Sequence, residues 1–208
     1  MLMLSSSREP PRTCFHLIRH GMHGEYGRLL SGRAGASPLT ARGRMQAAGV
    51  AAWRGLHDID AVHASPRRRT VETASIIARS LGLEVAIVPD LDEVDFGSWN
   101  GQSFPELEEN PRWRDWNRNR STSATPGGET MGGAVARTVR HLETVAREKA
   151  GATILCVTHC DIIRGTIAHY LGLSLDNLLR FEVDPGSIST ILLGPGGGSV
   201  TRLNEVPA

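Results

Sequence analysis

Cys14-Phe15-His16-Leu17-Ile18-Arg19-His20-Gly21 is an apolar run that stops at a cation, an imidazole and a glycine. Residues Thr13 to Ile18 are nearly continuous in apolar character, so they read as a strand buried on both faces and central in a sheet. Such a strand delivers Arg19 and His20 to the sheet rim. The late stretch Thr153-Ile154-Leu155-Cys156-Val157 repeats the arrangement and ends in Thr158-His159-Cys160-Asp161. Ligands of open α/β sheets bind outside the carboxyl ends of the strands, so the two imidazoles are expected at one rim.

Outward from the first strand, residues 21–38 are rich in Gly and Ser without a period, and a loop of that length in a compact domain is usually functional. Thr40 caps a helix of about fifteen residues, with Met45, Ala48, Ala52 and Trp53 as its apolar stripe. A short strand over 60–64 follows. Ser65-Pro66 then reads as N-cap and first helical position of a second helix, buried through Val71, Ala74, Ile77, Ala78 and Leu81 and ended by Gly82. Residues 85–88 form a third strand, and Leu91 to Gly101 break the pattern. One or two short helices within 104–120 carry Trp113 and Trp116, and residues 121–128 lead into a long amphipathic helix over 129–150. After the late strand come a helix through Ile162, Ile163, Ile167 and Leu171, and a closing hairpin turned at Gly194-Pro195-Gly196-Gly197-Gly198.

Strands alternating with helices at these spacings predict βαβ units. The expected fold is α/β, a three-layer sandwich with a mostly parallel central sheet flanked by helices. With 208 residues, 40% of them hydrophobic, the chain has material for one substantial core, so a flexible tail over 1–12 and one domain over 13–208 are expected. The net charge of +1 hides an asymmetry: residues 1–80 carry 12 Arg against 5 Asp and Glu, net +7, and residues 81–208 carry 11 basic against 17 acidic residues, net −6. The basic half favours an anionic substrate but is too dilute for nucleic acid. Cys14, Cys156 and Cys160 are odd in number and lie in or beside apolar strands, which argues against a disulfide framework and for a reducing compartment. No secretory signal and no apolar run near ~18 residues is found, so a cytoplasmic protein without a membrane partner is expected.

Two His, several Arg and helix N-termini at one rim describe a site for a phosphoryl group. Arg19 and one of Arg67, Arg68 and Arg69 are placed to fork onto phosphate oxygens, and a neutral imidazole is a competent phosphoryl acceptor. The reaction also needs a carboxylic acid of raised pKa; Glu93, Asp92 and Asp95 are candidates that spacing does not separate. His16, His57, His63, His141 and His169 read as packing or surface residues, Arg67 and Arg68 as solvated charges at a helix entry, and Trp99, Trp113 and Trp116 as packing. His16 and His20 lie about 13 Å apart along a strand and cannot chelate one ion, so neither metal nor cofactor is expected. The Gly127-Gly128-Glu129 and Gly132-Gly133 run lacks the Lys of a P-loop.

Four blocks, taken together, resemble the histidine phosphatase superfamily, the phosphoglycerate-mutase-like fold. They are Leu17-Ile18-Arg19-His20-Gly21, Ser65-Pro66-Arg67-Arg68-Arg69-Thr70-Val71-Glu72-Thr73-Ala74, Leu91-Asp92-Glu93 through Gly101, and Val157-Thr158-His159 through Arg164. They occur in the family's order. The resemblance implies His20 as a nucleophile that is transiently phosphorylated and Arg19 beside it on the phosphate. It selects Arg69 from the triplet, Glu93 as proton donor and His159 as the second imidazole of the phosphate pocket. It implies a metal-independent phosphomonoester hydrolase, in which the backbone rather than the Cys160 thiol serves the site.

Departures from the family's pattern fall at the pocket rim. His23 stands where a small hydroxyl residue is common, and Cys160-Asp161 where Gly-Gly is common. His23 and Cys160 among these departures, together with Arg33, are the candidate substrate-binding residues. Ser31-Gly32-Arg33 and the stretch from Ser37 to Gly43 resemble the small phosphatase branch, and the short span between Glu93 and His159 favours hydrolysis. The alternatives are a phosphoglycerate-type phosphomutase and a non-catalytic module that binds a phosphorylated ligand. The expected partner is a small phosphorylated substrate, with a homodimer left open.

Overall fold

Strands β1 (Thr13–Arg19), β2 (Ala61–Ala64), β3 (Val85–Ile87), β4 (Thr153–Thr158), β5 (Ile188–Gly194) and β6 (Gly197–Glu205) form one sheet in the order β3-β2-β4-β1-β5-β6 in the computed structural model. It describes residues 11–207. The expected tail therefore lies mostly outside the described residues. Arg12, at its end, is held at the sheet: its guanidinium donates to Leu192 O at 3.0 Å and to Ser199 Oγ at 2.7 Å.

β1 and β4 are parallel neighbours in the middle of the sheet, and Phe15, Leu17, Ile18, Ile154, Leu155, Cys156 and Val157 are at most 1% exposed. That burial on both faces is why these two strands are unbroken apolar runs. β4–β2 and β2–β3 are also parallel, whereas β5 runs antiparallel to both β1 and β6. The sheet is mostly parallel, as expected.

Helices α1 (Ala41–Ala51) and α2 (Arg68–Leu81) cover one face, where Val50, Ala74, Ile77 and Ala78 pack with Ile18, Leu155 and Val157. Two short helices, α3 (Phe104–Glu109) and α4 (Pro111–Arg118), precede α5 (Met131–Glu148), and α6 (Cys160–Leu171) follows β4. On the second face, Leu142 and Val145 of α5 and Ile163 and Ile167 of α6 pack on Phe15, Leu17, Ile154 and Cys156. The three-layer sandwich follows. A third cluster joins Phe96, Trp99, Trp113 and Trp116 to Met131, Val135 and Ile162. Trp113 and Trp116 stack with centroids 5.6 Å apart and Trp99 meets Trp113 edge-on at 5.4 Å, so Trp99 and Trp116 are packing residues, while Trp113 also lines the cleft at the sheet rim.

Three local expectations need correction. α1 has 11 residues and buries Gly43, Ala47 and Val50, while Met45 is 73% exposed. The reason is contact through backbone: Gly43 lies against the Met22 carbonyl, and a Cβ on Gly21 would overlap the Gly43 carbonyl, so small residues must face inward. α2 begins at Arg68 after an Arg67 that makes no side-chain cap, and the Ser65 hydroxyl, 2.7 Å from His159 Nε2, accepts only a long 3.5 Å bond from Arg67 N. Leu171 is 48% exposed rather than part of the buried face of α6. Among the described residues, no helix is long and apolar enough to cross a membrane.

Candidate active site

The carboxyl ends of β1, β4 and β2 are level, since His20 N donates to Thr158 O at 3.1 Å and Ser65 N to Val157 O at 3.0 Å. Their last residues therefore share one rim, which opens into a cleft of about 350 Å³. His20 is 4% exposed and has both ring nitrogens committed. Nδ1 lies 2.9 Å from Gly21 O, and Nε2 lies 3.2 Å from Arg69 Nε. A carbonyl only accepts and a guanidinium only donates, so Nδ1 carries the proton and Nε2 keeps its lone pair. Burial first, then the charges of Arg69 and Arg19, hold His20 well below the ordinary His pKa, so the ring is neutral.

His159 is fully buried and is fixed by the same logic. Arg69 Nη2 donates to Nδ1 at 3.0 Å, so Nε2 carries the proton and donates to Ser65 Oγ at 2.7 Å. Ser65 Oγ in turn donates to Asp92 Oδ1 at 3.2 Å. Burial, followed by Arg69, depresses the pKa of His159 as well. The rings of His20 and His159 stand 5.3 Å apart with Arg69 spanning them. Arg69 is positioned by α2 and by Gly32 O, which accepts from Nη2 at 2.8 Å.

Arg19 Nη1 donates to Val183 O at 2.5 Å. Arg19 Nε and Arg69 Nη1 are buried N–H groups with no hydrogen-bond partner among the described residues. Two such donors beside a neutral imidazole suit a multiply charged oxyanion. Glu93, 9% exposed, places Oε2 3.7 Å from His159 Nδ1. Burial, and next the charge of Asp161, push its carboxyl up to about 7. Asp95, by contrast, is held below the usual carboxylate range by the Gly97 N–H, and Asp92 is tied to Arg67. Of the three acidic candidates, Glu93 lines the cleft.

The five residues Arg19, His20, Arg69, Glu93 and His159 thus converge. Of the three rim candidates, two line the cleft. His23 does so with its ring 5.3 Å from that of His20 and its Nδ1 2.9 Å from Ser37 Oγ. Cys160 also faces the cleft, but burial pushes its thiol up to about 11, so no thiolate is present to compete as nucleophile. Arg33 is the correction. Its guanidinium points behind the site, where Nε donates to Glu93 O at 2.8 Å and Nη2 to Glu129 Oε1 at 2.7 Å. Arg67 is not a solvated charge either, because Nε and Nη2 both bind Asp92, at 2.8 and 2.5 Å. Arg68 does face solvent, paired with Glu72.

Sequence reasoning missed Arg120, which is 4% exposed, stacks 4.0 Å over the Trp116 ring and pairs with Asp161 at 2.9 Å at the cleft wall. Nothing local to Asn119-Arg120-Ser121 signals that partner. The Asp161 side of the pair was marked only as a departure at the pocket rim. Among the described residues, no group of three or more His, Cys, Asp or Glu is arranged to hold a metal ion.

Comparison with known proteins agrees with this geometry. The description "Histidine phosphatase superfamily (branch 1)" matches residues 15–206. The chain belongs to the histidine phosphatase superfamily. A bifunctional protein of Mycobacterium tuberculosis is 35% identical over 192 residues, which are 90% of this chain and 52% of that protein, so the chain spans about half the length of that relative. Phosphoserine phosphatase 1 of Hydrogenobacter thermophilus is 29% identical over 80% of each chain. The crystal structure of the alpha-ribazole phosphatase from Shigella flexneri superposes with a TM-score of 0.80 at 27% identity, covering 92% of this chain and 96% of that one. In this superfamily member, all four sequence blocks meet at the single rim formed by β1, β2 and β4 and the segment after β3.

Proposed function

We propose that the chain hydrolyses small phosphomonoesters through a phosphohistidine on His20. The observation that carries this reading is the tautomer lock: the Nδ1 proton is held by Gly21 O, so Nε2 is left unprotonated, its lone pair accepting from Arg69 Nε until a phosphoryl group takes that place. In the first step His20 Nε2 forms a bond to phosphorus while the ester P–O bond breaks, and the departing alkoxide takes the proton of Glu93. A carboxyl near pKa 7 is matched to this task at neutral pH. In the second step Glu93, now a carboxylate, accepts a proton from water as the water oxygen bonds to phosphorus. The P–N bond breaks and phosphate leaves.

Arg19 and Arg69 carry the positive charge that neutralises the transferring group, and the protonated Nε2 of His159 is anchored on Ser65, leaving its Nδ1 edge turned to Arg69. A cleft of about 350 Å³ is at the small end of ligand sites and suits a metabolite-sized leaving group. The names of the relatives, phosphoserine phosphatase and alpha-ribazole phosphatase, support a substrate of that class. Hydrolysis of a panel of phosphorylated metabolites tests the reading. His20→Ala is expected to lower turnover at least about 10³-fold, and added alcohols are expected not to capture the phosphoryl group. Turnover by His20→Ala near the wild-type rate refutes the mechanism, and efficient capture by an alcohol replaces hydrolysis with transfer.

A further inference from the structure

Glu93 lies between two single 3₁₀ turns, Pro89–Leu91 and Gly97–Trp99, on a segment with no helix or strand of its own. A side chain on such a segment is aimed only as well as its backbone is held. The 93–94 peptide is held from both sides. On the carbonyl side, Glu93 O accepts from Arg33 Nε at 2.8 Å and from Arg137 Nη2 at 3.0 Å. On the amide side, Val94 N donates to Glu93 Oε1 at 3.0 Å. The same peptide plane that two guanidiniums grip therefore fixes the carboxyl through its own N–H.

The two guanidiniums are tied together by Glu129. Its Oε1 accepts from Arg33 Nη2 at 2.7 Å, from Arg137 Nη2 at 2.8 Å and from Asp95 N at 3.0 Å. Arg137 also reaches the preceding turn, donating from Nη1 to Asp90 O at 2.7 Å. Two parts of the chain far apart in sequence thus converge on one peptide: the loop after β1, through Arg33, and α5 with the turn that leads into it, through Arg137 and Glu129. None of Arg33, Glu129 and Arg137 lines the cleft.

We propose that Glu129, bridging Arg33 and Arg137, is a positioning device that locks the 93–94 peptide and thereby aims the Glu93 carboxyl at the leaving-group oxygen; this rests on the reading of Glu93 as the acid. A group held this way matters in proportion to how much the reaction needs its proton. Esters of poor leaving groups need it and esters of good ones do not. kcat/KM covers the chemistry only as far as transfer to His20, so it is free of the later step in which Glu93 acts as base.

The test measures kcat/KM of the full chain on glycerol 2-phosphate and on p-nitrophenyl phosphate, across pH. Glu129→Gln and Arg137→Gln are expected to lower the alkyl ester by about 10- to 100-fold and the aryl ester by no more than about threefold. The fall in alkyl activity on the alkaline side is expected to move to lower pH, because burial is the largest cause that raises the carboxyl and the water gained on release outweighs the lost Val94 N–H bond, while Asp161, Arg69, Arg19 and His159 stay in place around it. Arg137→Lys, which keeps one donor, is expected to recover part of the loss. Near-isosteric Glu129→Gln guards against misfolding of the Arg137 variants, checked by circular dichroism. Equal losses on both esters with an unmoved pH profile, or no loss, overturn the proposal. Glu93→Gln separates the two levels of inference. If it affects both esters alike, the acid role falls; if it separates them and the Glu129 and Arg137 variants do not, only the positioning role falls.

Discussion

Asp92→Ala is expected to cost about 3 kcal/mol of stability and to impair the site through His159. Asp92 is 5% exposed and accepts hydrogen bonds from Arg67 Nε at 2.8 Å, Arg67 Nη2 at 2.5 Å, Glu93 N at 2.8 Å and Ser65 Oγ at 3.2 Å. Breaking a buried pair by removing one partner costs ~3–5 kcal/mol, and an orphaned buried amide about 1–3 kcal/mol. The Arg67 side chain is 28% exposed, so water recovers part of its loss, and the sum settles near the lower figure of about 3 kcal/mol. For a chain of this length that is a fall in Tm of roughly 6–12 °C. Asp92→Asn keeps the shape and an acceptor and is expected to cost about 1–2 kcal/mol. The functional loss follows from the Ser65 proton. Without Asp92 the hydroxyl is free to donate to His159 Nε2, which would move the ring proton to Nδ1, against Arg69. Urea unfolding with parallel phosphatase assays checks both effects. An Ala variant that loses less than about 1 kcal/mol refutes the reasoning about the pair.

Acid is expected to destabilise the fold well above the range where carboxylates titrate. Burial pushes His16 and His63 down to about 4 from an ordinary 6.5, so between those values the unfolded chain binds more protons than the folded one. Stability is complete above the ordinary His pKa and is lost as pH falls toward about 4, by up to about 3 kcal/mol per ring. A urea midpoint that stays flat from about pH 7 to about pH 5 contradicts this. Gly21→Ala puts a Cβ into the Gly43 carbonyl, backbone that cannot swing aside, directly after His20. A loss of roughly 1–3 kcal/mol and at least about tenfold in activity is expected. Wild-type activity in that variant shows that the β1–α1 contact does not position His20.

Much of the fold was legible because central parallel strands are buried on both faces. Phe15 to Ile18 and Ile154 to Val157 have no solvent side to mark with polar residues, so they appear as runs. Arg19, His20 and His159 were legible because each stands at or just past the end of a buried strand, whereas position left Arg69 open within Arg67–Arg69 and Glu93 open beside Asp92 and Asp95, and only the resemblance to the family chose them. What was not legible depends on partners distant in sequence. Arg67 reads as one charge in a solvated triplet until Asp92 folds back onto it. Arg33 reads as a substrate-facing cation, and only the position of Glu129 turns it behind Glu93. Ser65 has the residue type of an N-cap, yet its hydroxyl serves His159. In α1 the apolar period misleads, since a helix that touches its neighbour through Gly43 and Ala47 has no use for a stripe of large side chains. Arg120 and Asp161 show the same limit at the cleft wall, where only the tertiary fold brings the two together.

The phosphoryl-enzyme is the species on which the mechanism stands or falls. Brief mixing of the protein with a phosphate ester labelled on phosphorus, followed by an alkaline quench and peptide mapping, detects it directly. The expected result is one acid-labile, base-stable label on His20, absent from His20→Ala. No label under conditions of turnover, an acid-stable label, or a label on another residue contradicts nucleophilic catalysis by His20.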